Sequence, residues 1–192
     1  MKNSKSGLRQ LLKTQRRKVS RSEIDSASAS IFDNFINFVD WTKVKTIHLY
    51  LPIEFNSEVD TWRILKWIWT NLPEIQTSTS IYGESRSMRH VVISPDTTFK
   101  TDRLGIPVPE TNYGQLSTKY DIIIIPVLGF DKSLNRIGYG QGVYDSFLSQ
   151  QPESQKIGLA YESSKVSAVP TESHDVQLNE IITERKLYKA SH

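Results

Sequence analysis

With 192 residues, 38% apolar and 23% charged, the chain has the size and composition of one globular domain spanning residues 1–192. It contains no cysteine, which excludes disulfides, thiolate nucleophiles and Cys-ligated metals and fits a reducing compartment such as the cytoplasm. No apolar run approaches the roughly eighteen residues of a membrane span, no signal-peptide core follows the basic start, and His48, His90, His174 and His192 lack zinc-pair spacing.

The net charge is +3, and eight of the 24 basic residues precede the first acid, Glu23, so the remainder is net acidic. Leu8, Leu11 and Leu12 against Lys5, Arg9, Lys13, Arg16 and Arg17 predict an amphipathic helix with cations at four-residue steps. That stripe suits a solvated face, a nucleic-acid arm, a transit peptide or, through Lys5 and Arg9, a polyphosphate. Ser20 and Glu23 form a capping-box pattern ahead of a second helix with Ile24, Ala27, Ile31, Phe35 and Phe38 at helical spacing.

A strand is expected over Thr46–Leu51, then a polar loop over 54–60, then an apolar helix holding Trp62, Leu65, Trp67, Ile68 and Trp69. Its tryptophans read as core more readily than as a cofactor pocket. Short strands are expected around Ile81 and Tyr82 and through His90 to Ile93, with a turn between them. Thr97 to Leu116, with Gly105, Pro107 and Pro109, reads as a long surface connection. Strands over Lys156–Tyr161 and Ile181–Thr183, separated by a loop over Val166–Asp175, complete an alternating pattern whose class is α/β.

The most informative segment is Arg136 to Asp145. Ile122 to Ile125 are four consecutive isoleucines, as a strand buried on both faces requires, and Tyr144, Phe147 and Leu148 have helical spacing. Gly138, Gly140 and Gly142 are therefore expected to join that buried strand to a helix, where glycine lets the backbone approach an anion. The spacing matches neither the Walker nor the Rossmann fingerprint. Arg136 supplies a cation able to grip phosphate, and Asp145 a carboxylate suited to a metal.

In order and spacing, the runs Lys5–Arg9, Glu58–Thr61, Gly105–Pro109, Pro126–Asp131, Asn135–Asp145, Ile157–Tyr161, Val169–Asp175 and Ile182–Glu184 resemble the 5-formyltetrahydrofolate cyclo-ligase (methenyltetrahydrofolate synthetase) family nearly end to end. The resemblance implies an ATP- and Mg2+-dependent conversion of 5-formyltetrahydrofolate to 5,10-methenyltetrahydrofolate, with release of ADP and phosphate. It also implies a single α/β domain with a mostly parallel sheet flanked by helices, of the broad type shared with sugar-phosphate isomerases and CoA transferases.

Carried onto this chain, the resemblance assigns ATP contacts to Lys5, Arg9 and the segment Arg136, Ile137, Gly138, Tyr139, Gly140, Gln141, Gly142, Val143 and Tyr144. Substrate contacts fall on Arg9, Leu51, Glu58 and the stretch Tyr139 to Val143. Asp145 and Asp175 match magnesium-binding acids, with Arg136 and Asp145 catalytic, while His174 reads as structural. Val143 stands where many relatives carry an aromatic ring, Ser146 where some carry Arg, and Ser164 where Gln is usual, so the nucleotide half keeps the pattern better than the folate half. The alternatives are a sugar-phosphate isomerase, ATP-dependent activation of another formyl or amide substrate, and nucleic-acid binding through the basic helix. The small-molecule reading expects no nucleic-acid or membrane partner.

Overall fold

The computed structural model describes residues 4–82, 88–102, 105–110 and 119–190. Helix α1 (Lys5–Arg16) starts at Ser4, whose hydroxyl accepts from the Gly7 N–H at 3.2 Å. Helix α2 (Arg21–Phe38) opens with the expected capping box, Ser20 and Glu23 each accepting from the other's backbone N–H. Strand β1 (Thr46–His48) stops three residues short of the expected end, and helix α3 (Trp62–Asn71) follows the polar loop.

Strands β2 (Gln76–Tyr82) and β3 (Met88–Ile93) form an antiparallel pair whose connecting turn lies outside the described residues. The start of β2 was not anticipated because Thr77, Ser78, Thr79 and Ser80 are polar, yet all four are buried. The Thr77 hydroxyl donates to the Ile93 carbonyl at 2.6 Å, which offsets part of that cost.

The segment expected to be a long surface connection contains two short strands. Strands β4 (Phe99–Thr101) and β5 (Pro107–Pro109) pair antiparallel, closed by a turn in which Gly105 takes φ 74°. Both prolines sit in a two-stranded ladder, where a missing N–H is tolerated. The rest of the expected connection, at 103–104 and 111–116, lies outside the described residues.

Strand β6 (Ile122–Pro126) is fully buried over its isoleucines. Ile122 and Ile124 face the cluster built with Ile31, Phe35, Ile64, Leu65 and Ile68 of α2 and α3. Ile123 and Ile125 face the opposite cluster, with Phe147 and Leu148. Each such isoleucine contributes on the order of 2 kcal/mol by leaving water.

The glycine segment does not leave β6 directly, as the sequence reading had it. A hairpin of two short strands, β7 (Gly129–Phe130) and β8 (Arg136–Ile137), intervenes before helix α4 (Val143–Ser149). Strands β9 (Gln155–Leu159), β10 (Glu180–Ile182) and β11 (Leu187–Lys189) complete the main sheet.

That sheet has seven strands in the order β11-β10-β9-β6-β1-β2-β3, parallel from β10 to β2 and antiparallel at both edges. The class is α/β with a mostly parallel sheet, as expected. From β1 the chain proceeds outward through β2 and β3, then returns to β6 on the other side of β1 and proceeds outward through β9 and β10. The β1/β6 boundary is therefore a topological switch point, the place where open α/β sheets leave a crevice at their carboxyl ends.

Candidate active site

A cavity of about 900 Å³ occupies that crevice, lined by Tyr50 and Leu51 beyond β1, Thr79 and Ser80 of β2, and Pro126 at the end of β6. Every residue singled out by the sequence reading lines it: Lys5, Arg9, Leu51, Glu58, the whole run Arg136 to Asp145, and Asp175. These positions come from five stretches of chain, and the carboxyl ends of β1, β2 and β6 give them a common floor.

The glycine segment forms one wall. Gly140 and Gly142 adopt φ 99° and 71°, a region that side chains other than glycine enter only under strain. A Cβ at Gly138 or Gly142 would meet no atom within 4 Å, so both backbones border open space. At Gly140 a Cβ would come 3.0 Å from the Arg9 guanidinium, which lies directly over the loop. Among the described residues, the backbone N–H groups of Gly138 to Gly142 enter no hydrogen bond. An exposed run of unclaimed donors with two left-handed residues is the backbone arrangement that holds an anion.

Helix α1 closes the wall from above, and three of its cations, Lys5, Arg9 and Arg16, are committed inward, while Arg17 stays exposed. Arg9 donates through Nε to the Gly138 carbonyl at 2.9 Å. Lys5 places Nζ 2.7 and 2.6 Å from the two Asp175 carboxylate oxygens, across 170 residues of sequence. Arg16 is 7% exposed and donates to the Val127 and Leu128 carbonyls at 2.7 and 3.2 Å and to the Tyr139 hydroxyl at 3.1 Å. Only its position one turn beyond Leu12, which packs against Gly129, distinguished Arg16 from its exposed neighbours.

Arg136 and Asp145 meet at 2.7 Å, the guanidinium almost wholly enclosed. Arg136 also donates to the Val176 carbonyl, and Asp145 accepts from the Val176 N–H at 3.1 Å. The pair thus ties the start of α4 to the segment carrying Asp175, and both acids face one cavity across Val176.

Glu58 stands apart from these charges. It is 7% exposed, accepts from the Ile53 N–H at 2.8 Å, and its carboxyl is pushed above the ordinary range by burial, partly opposed by that bond, the Tyr139 hydroxyl and the Arg16 charge. Asp175 behaves oppositely: burial would raise it, but the Lys5 ammonium and the Glu172 N–H bring it below the usual value. His174 is mostly exposed, 3.4 Å from Glu172 at the cavity rim.

The family model for 5-formyltetrahydrofolate cyclo-ligases matches residues 1–184. The chain belongs to the 5-formyltetrahydrofolate cyclo-ligase family. It is 29% identical to the 5-formyltetrahydrofolate cyclo-ligase of Haemophilus influenzae over 91% of this chain and 96% of that one. It is 28% identical to the mouse enzyme of the same name, over 95% and 94% of the two chains. Its fold superposes on the 5,10-methenyltetrahydrofolate synthetase of Aquifex aeolicus with a TM-score of 0.83 at 24% identity, covering 98% of this chain and 93% of that one. For the corresponding Mycoplasma pneumoniae protein the TM-score is 0.71 at 26% identity, with 94% and 98% covered.

The family's expected magnesium can be tested against the acids present. Among the described residues, no three His, Cys, Asp or Glu side chains converge on a metal position. Two carboxylates beside a row of free amides do fit Mg2+, which takes one or two carboxylates together with substrate phosphates and water. No helix among the described residues is long and apolar enough to cross a membrane.

Proposed function

We propose that this cyclo-ligase family member converts 5-formyltetrahydrofolate to 5,10-methenyltetrahydrofolate at the expense of ATP, acting in the cytoplasm as its cysteine-free composition suits. One observation carries the reading: a single cavity holds a row of unclaimed amides, two acids suited to magnesium, and a buried carboxylate set apart from both. A sugar-phosphate isomerase needs the amides but not the acid pair.

In the proposed reaction the formyl oxygen attacks the γ-phosphorus and the bond to the β-phosphate oxygen breaks, releasing ADP. The neighbouring folate nitrogen then attacks the activated carbon, its proton passes to solvent, and the C–O bond breaks as phosphate leaves. An amide oxygen is a poor leaving group, and phosphorylation corrects that defect. Phosphoryl transfer is accelerated mainly by positioning and charge stabilisation, with little covalent work for the protein.

The N–H groups of Gly138 to Gly142 receive the phosphates, and Arg9 brings positive charge over them. Lys5 holds Asp175, and Arg136 holds Asp145, and these two acids would hold a magnesium ion, which would supply positive charge to offset that of the phosphates. Arg136 acts through Asp145 and the Val176 carbonyl, a positioning role in place of the free phosphate clamp that its sequence context suggested. Glu58 and Leu51, which line the same cavity, meet the folate, where a carboxylate accepts N–H donors of the pteridine edge.

The test is to incubate the protein with 5-formyltetrahydrofolate, ATP and magnesium and follow methenyl absorbance. Signal that requires ATP supports the reading. Absence of signal, or ATP-independent turnover of phosphorylated sugars, overturns it.

A further inference from the structure

Arg16 is a buried cation that the proposed chemistry leaves without a role. It ends α1, is 7% exposed, and among the described residues has no carboxylate within salt-bridge distance. A charge buried this way is costly unless hydrogen bonds compensate it. Nη2 donates to the carbonyls of Val127 and Leu128, the two residues after β6, at 2.7 and 3.2 Å, and the guanidinium lies 5.3 Å from the centre of the Tyr161 ring. These contacts fasten α1 to the carboxyl end of the central strand. The remaining one leads elsewhere: Nη1 donates to the Tyr139 hydroxyl at 3.1 Å.

The Tyr139 hydroxyl in turn donates to the Glu58 carboxylate. One phenol therefore stands between two buried charges, accepting from the cation and donating to the anion. Glu58 also takes hydrogen bonds from the Ile53 N–H and the Asn56 side chain. The other ionisable groups acting on it are Tyr50 after β1, Tyr82 at the end of β2, Tyr144 of α4 and Tyr161 after β9, all of them phenols. Among these groups Arg16 is the cation. Burial holds the Glu58 carboxyl above the ordinary range, so the fraction ionised near neutrality depends on what opposes burial, and Tyr139 and Arg16 both do.

We propose that Arg16 is a positioning residue for the folate: through the Tyr139 hydroxyl it keeps Glu58 ionised and aimed, so that the carboxylate can accept the substrate's N–H donors. The inference rests on the reading of Glu58 as a folate contact given above. Arg16 itself does not touch the substrate; it sets the state of the acid that the substrate meets. With the carboxylate as the binding form, folate affinity rises with pH through the Glu58 titration. Removing the guanidinium or the phenol hydroxyl takes away a contact that favours the charge, so the rise moves to higher pH.

The experiment follows two quantities against pH in the full chain: the Glu58 side-chain carboxyl carbon by NMR without ligand, and the Kd for 5-formyltetrahydrofolate. Arg16→Gln removes the charge, and Tyr139→Phe keeps the ring while removing the hydroxyl. Each should move the carboxyl titration to higher pH. In Arg16→Gln the Kd at neutral pH should rise by up to about tenfold for each unit of that movement. Arg16→Lys keeps a cation and should fall between wild type and Arg16→Gln. In Glu58→Gln the pH step in Kd is absent, and adding Arg16→Gln should weaken folate no further. If Arg16→Gln does not fold, Tyr139→Phe and Arg16→Lys carry the comparison. An unmoved carboxyl titration in Tyr139→Phe overturns the inference. So does a loss of affinity on Arg16→Gln that is equal with and without Glu58→Gln, as a merely structural arginine would give. Wild type lacking ATP-dependent turnover instead defeats the underlying reaction, and the ligand-free titration tells the two failures apart.

Discussion

Glu58 and Asp175 are carboxylates facing the same cavity, and their surroundings drive them in opposite directions. Asp175 sits at the rim with an ammonium against both its oxygens, so its charge is favoured. Glu58 lies among Tyr50, Ile53 and Tyr139, and burial opposes its charge more than the Arg16 guanidinium favours it. One cavity therefore holds a carboxylate whose charge its partners favour and another whose charge burial opposes.

The largest expected effect breaks a paired charge. Asp145→Asn should lower ATP-dependent turnover by about a hundredfold or more, and Arg136→Ala should do likewise through the unpaired acid it leaves, with circular dichroism showing a retained fold. Wild-type rates in either variant would remove the pair from the site. Next in size, Gly138→Ala places a methyl group in open space, so Tm should hold while KM for ATP rises about tenfold. An unchanged KM would show that nothing approaches that backbone.

Glu58→Gln sharpens the contrast itself. Because the folded-state pKa of Glu58 lies above its unfolded value, the native state holds the proton more tightly and stability falls as pH rises through that window. The amide removes the strained charge, so Tm at pH 7 should rise by a few degrees while folate KM worsens; a fall in Tm would contradict the burial argument. Asp175→Asn should act with the opposite sign and less strongly. Its folded-state pKa is depressed, so its contribution is present above the unfolded value and lost as pH falls through the folded one. The pair is part-exposed, so the loss at neutral pH should be under about 1 kcal/mol, seen as a small drop in denaturation midpoint.

What could be read from sequence follows from how physical signals are encoded. The four isoleucines of β6 announced burial on both faces, and the Ser20/Glu23 box announced a helix start, because local pattern alone determines each. The start of β2 was illegible: its hydroxyls satisfy themselves against distant groups, as Ser80 does with His48 at 2.8 Å and His90 at 3.2 Å. Strand β5 was hidden by prolines that usually mark loops. At the site, family order located the residues, but not their partners. That Arg136 is absorbed by Asp145, and that Arg16 is buried under β6, depends on contacts across 9 and 111 residues that charge spacing does not record.

The bond between Lys5 and Asp175 also has a consequence for synthesis. Closing a contact across 170 residues is slow and entropically costly, and here it joins the first helix to one of the last loops. During translation Lys5 of α1 is made long before Asp175 and waits without that partner until the 170 positions between them have been spanned. Of the two acids assigned to magnesium, Asp175 thus gains its ammonium partner only after the intervening polypeptide has been made.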